Sequence, residues 1–578
     1  MIQRSLLGIA SFALLTNCTA DTAPDVESVS SVPAPAAMAG AVSSADPRAN
    51  AAGEAILAQG GSAVDAAIAV MLALTVVEPQ SSGIGGGGFM VRASSLGDVT
   101  TYDGRETAPA AATGTRFLDD VGERLPREQR VLSGLSVGVP GNLALAAKAH
   151  EKHGTLAWAD LFEPAIALAG DGFVMNRRLN NSLSGRNKPR AGLTEQARAV
   201  FFGQDGEPLP VGTRIRNPDL AEALGDLAQS GPEALYDRNA EDLAEYIAAK
   251  TPQDGKMTAT DITSYRAKNR DAVCGKYRQY TVCGMGPPSS GGVAVVQMLG
   301  QLERFDLAAL GADNPLTWHL FLESQRVAYA DRELYIGDSD FVAVPVKGLI
   351  DQTYIAQRSA LIDPDARLTD PVAGTPPGAP LARADGDEPP ENGTSHFSVA
   401  DGDGNVVSYT STIEGAFGSG LFFGGFYLNN ELTDFSSSPD RGGVPVANRV
   451  EGGKRPRSSM APTVVFDEAG KPFLVIGAAG GPTIPVQTAR SIVGVVDFGM
   501  SANDALALPF IMGFGPNVLL EEGTQLEGME DALRALGHTR FAARSPALKA
   551  NALLRTDTGW EVAMDPRIAP LLSTQPEN

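Results

Sequence analysis

The segment AVDAAIAVMLALTVV, residues 63–77, is apolar nearly all round. A helix of that kind has no face to give to water and must be buried between layers. Its start is marked twice. Gly60-Gly61 end a helical pattern over residues 47–59, and Ser62 stands three residues before Asp65, a capping-box-like arrangement. The segment is too short to cross a bilayer, which takes about 20 residues. It runs into Glu78-Pro79-Gln80-Ser81-Ser82 and then the glycine-rich stretch 83–91. Gly83, Gly85 and Gly88 satisfy GxGxxG, but a dinucleotide site needs a strand before that loop and a helix after it. Here a helical pattern precedes and strand-like Phe89-Met90-Val91 follows, so that reading is rejected. Gly134, Ser136 and Gly138 satisfy GxSxG, yet Val139-Pro140-Gly141 follows where a nucleophile elbow needs a helix.

The layered body this implies is a large one. Of 578 residues, 64 are glycine and 39 proline, which points to many tight turns and close backbone approaches. With 43% hydrophobic and 20% charged residues, collagen-like, coiled-coil and wholly disordered chains are excluded. The length admits several domains or one large one. A net charge of −22 lacks the basic footprint of a nucleic-acid binder. Three cysteines and five histidines, with no CxxC or HExxH, predict neither a metal site nor a metal-dependent chemistry.

Residues 1–18 read as an export signal. Arg4 precedes an apolar run, 6–15, broken only by Ser11. Leu15-Thr16-Asn17-Cys18 resembles a bacterial lipoprotein box, with Asn17 where a small residue is usual. The expectation is an exported, periplasmic protein, with Cys18 as a lipidation site and membrane tether. Ordinary cleavage nearby is the alternative. Residues 19–45 are rich in Ala, Ser, Val and Pro, contain no Lys or Arg, and read as a flexible linker. Cys274 and Cys283 either close a disulfide across a hairpin or remain two buried thiols.

Helical patterns dominate 142–335, for example over 142–150, 220–228, 240–249 and 318–335. Residues 365–393 are loop-like, and Glu388 to Gly393 read as exposed. The texture then changes to hairpins: 395–400 with 406–412, 462–466 with 473–477, and 552–555 with 560–563, each around an Asp- or Gly-bearing turn. A helical pattern over 483–495 follows Gly480-Gly481.

The arrangement that carries chemistry is the loop end Asn392-Gly393 followed by Thr394 opening a strand. If the bond before Thr394 is cut, one residue carries both a hydroxyl and an α-amine. That amine, with an ordinary pKa near 8, can act as general base to its own hydroxyl. Gly393 leaves the preceding carbonyl open to attack. Alone, a Gly-Thr at a strand start is an ordinary loop end; agreement among separate segments decides.

Those segments are Gly60-Gly61-Ser62-Ala63-Val64-Asp65, Val77-Glu78-Pro79 through Met90, Asp103-Gly104-Arg105-Glu106, and Pro287-Pro288-Ser289-Ser290-Gly291-Gly292. They continue with Gly393-Thr394-Ser395-His396, Leu428-Asn429-Asn430-Glu431 with Asp434-Phe435-Ser436, Lys454-Arg455-Pro456 with Ser458-Ser459-Met460, and Gly480-Gly481. Over residues 45–578 the chain strongly resembles the γ-glutamyltransferases (glutathione hydrolases), which are N-terminal-nucleophile hydrolases. The resemblance implies an α+β fold, a four-layer αββα sandwich of two mainly antiparallel sheets with helices outside. It implies a precursor cut between Gly393 and Thr394 into a large piece, 46–393, and a small piece, 394–578, that share one catalytic domain.

The resemblance also implies roles. Thr394 is the nucleophile and the self-cleaving residue, and Thr412 on the facing strand orients it. Gly480 and Gly481 form the oxyanion hole, as consecutive backbone N–H groups ahead of a helix suit an anion. Arg105 grips the donor's α-carboxylate with help from Ser458 and Ser459, and Glu431 and Asp434 receive its α-ammonium. The donor is a γ-glutamyl amide such as glutathione; the acceptor is water, an amino acid or a peptide; no cofactor is implied. Lys454-Arg455-Pro456-Arg457 reads as a solvated charged face, and His396 as structural.

Four departures stand out: Glu414 where many members have Asn, Thr433 where Asp is common, a short stretch between Phe435 and Lys454 where some carry a lid, and Pro509-Phe510 without the Arg-Phe-His run often seen there. Glu414 adds negative charge near the nucleophile and the donor ammonium, which is compatible with a bias toward hydrolysis and puts donor preference in question. The alternatives are an amidase of the same machinery (a glutaryl-β-lactam acylase or a poly-γ-glutamate-processing enzyme) and a non-catalytic exported binding lipoprotein.

Overall fold

A computed structural model describes residues 39–380, 383–386, 393–546 and 548–575. The signal 1–18, Cys18, linker residues 19–38 and the loop residues 388–392 lie outside the described residues. Strand β1 (Ala41–Ser44) leads into helix α1 (Pro47–Ala58), capped by Asp46, and helix α2 (Ala63–Val77). All fifteen residues of α2 are buried. Its reciprocal cap is formed: Asp65 N–H donates to Ser62 Oγ at 3.1 Å, and Ser62 N–H donates to the Asp65 carboxylate at 2.9 Å. The buried carboxylate is satisfied further by the amide and hydroxyl of Thr155 at 2.8 and 2.7 Å.

Helix α2 covers a five-stranded sheet. Its further strands are β2 (Gly87–Ala93), β3 (Val99–Asp103), and two that lie past the middle of the chain. Helix α3 (Asn142–His153) packs on the same outer layer. A second, six-stranded sheet starts with the hairpin β4 (Val273–Tyr277) and β5 (Tyr280–Gly284), set within the predominantly helical middle. Helices α4 (Gly291–Leu302) and α5 (Pro315–Tyr335) follow. Strands β6 (Gly393–Ala400) and β7 (Val406–Glu414) return to the first sheet, completing the order β1-β6-β7-β2-β3. Strands β8 (Thr463–Phe466), β9 (Pro472–Ala479), β10 (Lys549–Thr556) and β11 (Gly559–Met564) complete the second, in the order β11-β10-β9-β8-β5-β4. Helix α6 (Ile484–Val496) joins α4 on its outer face. All pairings within the two sheets are antiparallel.

The sheets pack face to face through apolar side chains and a few cross-sheet hydrogen bonds. Ser408 Oγ donates to Ile476 O at 3.0 Å and accepts from Thr463 N–H at 2.9 Å; Asn551 donates to His396 O at 2.9 Å. His396 lies between them, where burial pushes its pKa down to about 3 and keeps it neutral, a structural role as expected. A Cβ on Gly477 would come within 2.5 Å of that ring, so the neighbour must be glycine. The αββα sandwich is therefore present.

One expectation changes, and one open alternative is decided. Residues 41–44, read as linker, form an edge strand: Ala41–Ser44 pair with residues 397–400, and Ser43 Oγ donates to Ala563 O at 2.6 Å. Four short residues become a strand only because partners distant in sequence supply its hydrogen bonds. Second, Cys274 and Cys283 lie directly opposite one another on β4 and β5, 4.1 Å apart at Cα, and form a disulfide. Closing so small a loop stabilises by about 2–3 kcal/mol. The Cys274→Ser/Cys283→Ser double variant is expected to lose unfolding free energy by about that margin and to melt at a lower Tm, and the wild-type mass to lie two hydrogens below that of the reduced chain.

Candidate active site

The hairpin β6–β7 places the two threonines. A register shift falls between Gly393 and Thr394, setting Gly393 opposite Glu414 and Thr394 opposite Thr412. The hydroxyls of Thr394 and Thr412 are 3.0 Å apart, and both residues are buried. Thr412 Oγ1 donates to the carbonyl of Gly393 at 2.5 Å and accepts the N–H of Glu414 at 2.8 Å. A hydroxyl has one proton. Since that proton is on the Gly393 carbonyl, Thr394 is the donor to Thr412. The arrangement polarises the carbonyl before Thr394 and leaves lone pairs on Thr394 Oγ1 for attack.

Strand β9 ends at Ala479, and Gly480 and Gly481 turn the chain into α6 through a short 3-10 turn. Both sit at positive φ, 126° and 57°. Neither amide N–H donates to another described residue. Gly480 and Thr394 line one cleft of about 890 Å³, with Glu414, Asn430, Thr433 and Lys549.

Arg105, Glu431, Asp434, Ser458 and Ser459 do not line that open cleft; all five are buried. Arg105 pairs with Glu431 and Asp434, and donates to the carbonyls of Pro456 and Arg457 at 3.2 and 2.8 Å. The groups expected to answer a donor's carboxylate and ammonium are thus held against each other. Ser458 Oγ accepts from Met460 N–H at 3.2 Å, and Ser459 Oγ from Arg332 at 2.6 Å.

The run 454–457, expected as a solvated face, is buried. Lys454 donates to Ala447 O and Glu451, Arg455 pairs with Asp103, and Arg457 with Glu333 at 2.5 Å. The partners of Arg455 and Arg457 lie elsewhere in the chain, those of Lys454 just before it, and together they hold rigid the carbonyls that orient Arg105.

Sequence reading missed two residues here. Glu106 is fully buried against Glu431, and burial pushes its pKa up to about 7, against the attraction of Arg105. A Cβ on Gly87 would stand 2.3 Å from Glu106 Oε2. The glycine run on β2 therefore makes room for a carboxyl, not for a phosphate. Lys549 is the second. Its Nζ donates to Glu78 at 3.1 Å and Ser395 Oγ at 3.0 Å, and burial lowers its pKa well below the ordinary value. Their only sequence signal was adjacency to recognised segments.

Glu414 stands at φ 71°, and burial, then Asp434, pushes its pKa up to about 8, offset in part by Arg190. Glu431 is likewise raised well above the usual carboxylate range, foremost by burial. Asn430 Nδ2 donates to both Glu414 and Thr433 Oγ1. The two departures thus meet on one amide: a carboxylate is absent at 433 and present at 414, one side chain away. For metal ligation, the described residues offer His319, Glu323 and His538. The imidazoles are hydrogen-bonded to each other at 2.9 Å, and Glu323 is engaged by Arg326 and the Leu368 amide.

A family model described as gamma-glutamyltranspeptidase matches residues 49–570. The chain belongs to the gamma-glutamyltranspeptidase family. Relatives within it include the glutathione hydrolase proenzyme of Escherichia coli (strain K12), 37% identical over 88% of each chain. That of Bacillus subtilis (strain 168) is 40% identical over 82% of this chain and 80% of its own. Among solved structures, a cephalosporin acylase from Bacillus halodurans superposes with a TM-score of 0.79 at 26% identity, covering 94% of this chain and 98% of that one.

For this family member the buried acids set a pH dependence. The folded-state pKa of Glu106 is raised, so the stability its proton confers is complete below about pH 4.5 and lost as pH rises through about 7. Thermal stability is expected to decline between about pH 4.5 and 7, by on the order of 3 kcal/mol for this group, and to level off above that. Glu106→Gln should flatten that decline.

Proposed function

We propose that the protein is a self-processing γ-glutamyltransferase, working chiefly as a glutathione hydrolase. The observation that carries this is the Thr412 hydroxyl set between Gly393 O and Thr394 Oγ1 at 2.5 and 3.0 Å, within a chain of this family. In maturation, Thr394 Oγ1 attacks the polarised Gly393 carbonyl, the C–N bond breaks to leave an ester and a free Thr394 amine, and water hydrolyses the ester. In turnover, that amine takes the hydroxyl proton as Thr394 attacks the γ-carbonyl of the donor. The Gly480 and Gly481 amides receive the oxyanion. The proton passes to the leaving amine, which departs, and water or an acceptor amine releases the γ-glutamyl group from Thr394.

Donor binding follows from the buried ion pairs. The donor's α-carboxylate takes a place on Arg105, supported by Ser458 and Ser459. The carboxylates it displaces, Glu431 and Asp434, are then free to meet the α-ammonium together with Glu414. The exchange conserves charge, so it avoids the cost of stranding a buried ion. The cut between 393 and 394 gives pieces 46–393 and 394–578. The disulfide Cys274–Cys283 supports export to an oxidising compartment, with residues 1–18 as signal and Cys18 as a lipid attachment point. A second reading is favoured by the acylase likeness: a donor with a glutaryl group, which lacks the α-ammonium.

Purified wild type is expected as two pieces, the smaller beginning at Thr394, and Thr394→Ala as one inactive chain. An uncut wild type with blocked Thr394 overturns the reading. Release of p-nitroaniline from the γ-glutamyl but not the glutaryl anilide separates the two donors. Ionised Glu414 attracts an ammonium and its protonated form does not, so the donor KM should fall as pH rises from 7 to 9. In Glu414→Gln that fall should vanish.

A further inference from the structure

The cleft above Thr394 is opposite in charge to the chain that builds it. The protein carries −22 overall, yet at the mouth the guanidinium groups of Arg127, Arg186 and Arg190 line the same cavity as Thr394 and Glu414. Arg190 is largely buried, and its NH1 donates to Ala416 O at 3.3 Å. It faces Glu414 on its inner side, and Arg127 and Arg186 are near enough to act on its charge. Arg127 and Arg186 are exposed, and among the described residues neither has a hydrogen-bond or ion-pair partner. Glu128 is the carboxylate beside them on the rim, and it forms no ion pair with a described residue. Three like charges on a concave wall repel one another and concentrate anions. The cleft therefore carries a guanidinium rim on its outer side, with Glu414 the acidic group on its inner side.

We infer that the rim formed by Arg127, Arg186 and Arg190 is a binding subsite for carboxylates on the leaving group or acceptor. It selects γ-glutamyl donors whose departing amine carries acidic groups. The inference rests on the γ-glutamyl reading and refines it. Planar guanidinium forks bind carboxylates in pairs of hydrogen bonds. A cavity of about 890 Å³ is ample for a donor with such a leaving group beyond its scissile amide.

The test compares two anilides with the mature enzyme: γ-glutamyl-p-nitroanilide, whose leaving group is neutral, and γ-glutamyl-3-carboxy-4-nitroanilide, which adds one carboxylate to it. At low ionic strength kcat/KM is expected to favour the carboxylated anilide by about tenfold, the sum of two or three rim-exposed charge contacts. The preference should reside in KM and shrink toward unity in about 0.5 M salt, where screening falls to a few ångströms. In Arg127→Gln/Arg186→Gln, both exposed and so tolerant of change, the ratio should drop to about twofold. In Arg127→Glu/Arg186→Glu it should invert. A wild-type ratio near one, or a ratio that these substitutions and salt leave unchanged, overturns the subsite while the γ-glutamyl activity stands. Turnover of neither anilide overturns the γ-glutamyl reading, and the subsite with it.

Discussion

One hydroxyl organises the centre of the molecule. Thr412 donates its single proton to the carbonyl of Gly393 and accepts from Thr394 and from the Glu414 amide. That arrangement requires β6 and β7 to pair with a register shift between Gly393 and Thr394. The register in turn depends on both flanks. Strand β1 closes one side of β6, and the side-chain-free start of β2 lies against β7, where a Cβ on Gly86 would collide with the carbonyl of Thr412 at 2.0 Å. Behind the hairpin, α2 offers an almost wholly apolar surface that fixes the sheet from the back. Packing, register and proton placement are thus one constraint seen at three scales.

The second organising theme is charge held out of water. Arg105, Glu106, Glu414, Glu431 and Asp434 share a small buried volume in which acids outnumber cations. Such a group takes up protons rather than leave several unscreened carboxylates, which accounts for the upward direction of the Glu106, Glu414 and Glu431 pKa values. The site therefore stores protons and an internal ion pair in the places where an amino-acid end would sit.

Much of this was legible in the residues. The bounds of α2 and its capping box followed from Ser62, Asp65 and an apolar run, because both are local in sequence. The three hairpins of the second half followed from alternation around short turns. Thr394, Thr412, Gly480 and Gly481 were located through their motifs. What escaped notice was non-local. Nothing in Lys454–Arg457 says that Asp103 and Glu333 will pair with it, and a four-residue strand at 41–44 has no pattern of its own. Glu106 looked like the neighbour of a functional arginine, and only the fold brings it against Glu431. The pairing of Glu414 with Thr433 through Asn430 needed the turn at 430–434 to bring the two substitutions together.

The strand order has a consequence beyond catalysis. In the first sheet, β6 and β7 follow residue 393 in the chain, while β1 and β2 on either side precede it. In the mature form we propose, with the bond at 393 broken, the two polypeptides are interleaved in a single sheet and a shared core. They cannot part without unfolding completely, and reassembly would require two separate molecules to find each other. Folding is then unimolecular only once in the protein's life. Afterwards its persistence is governed by how slowly it opens rather than by how readily it refolds.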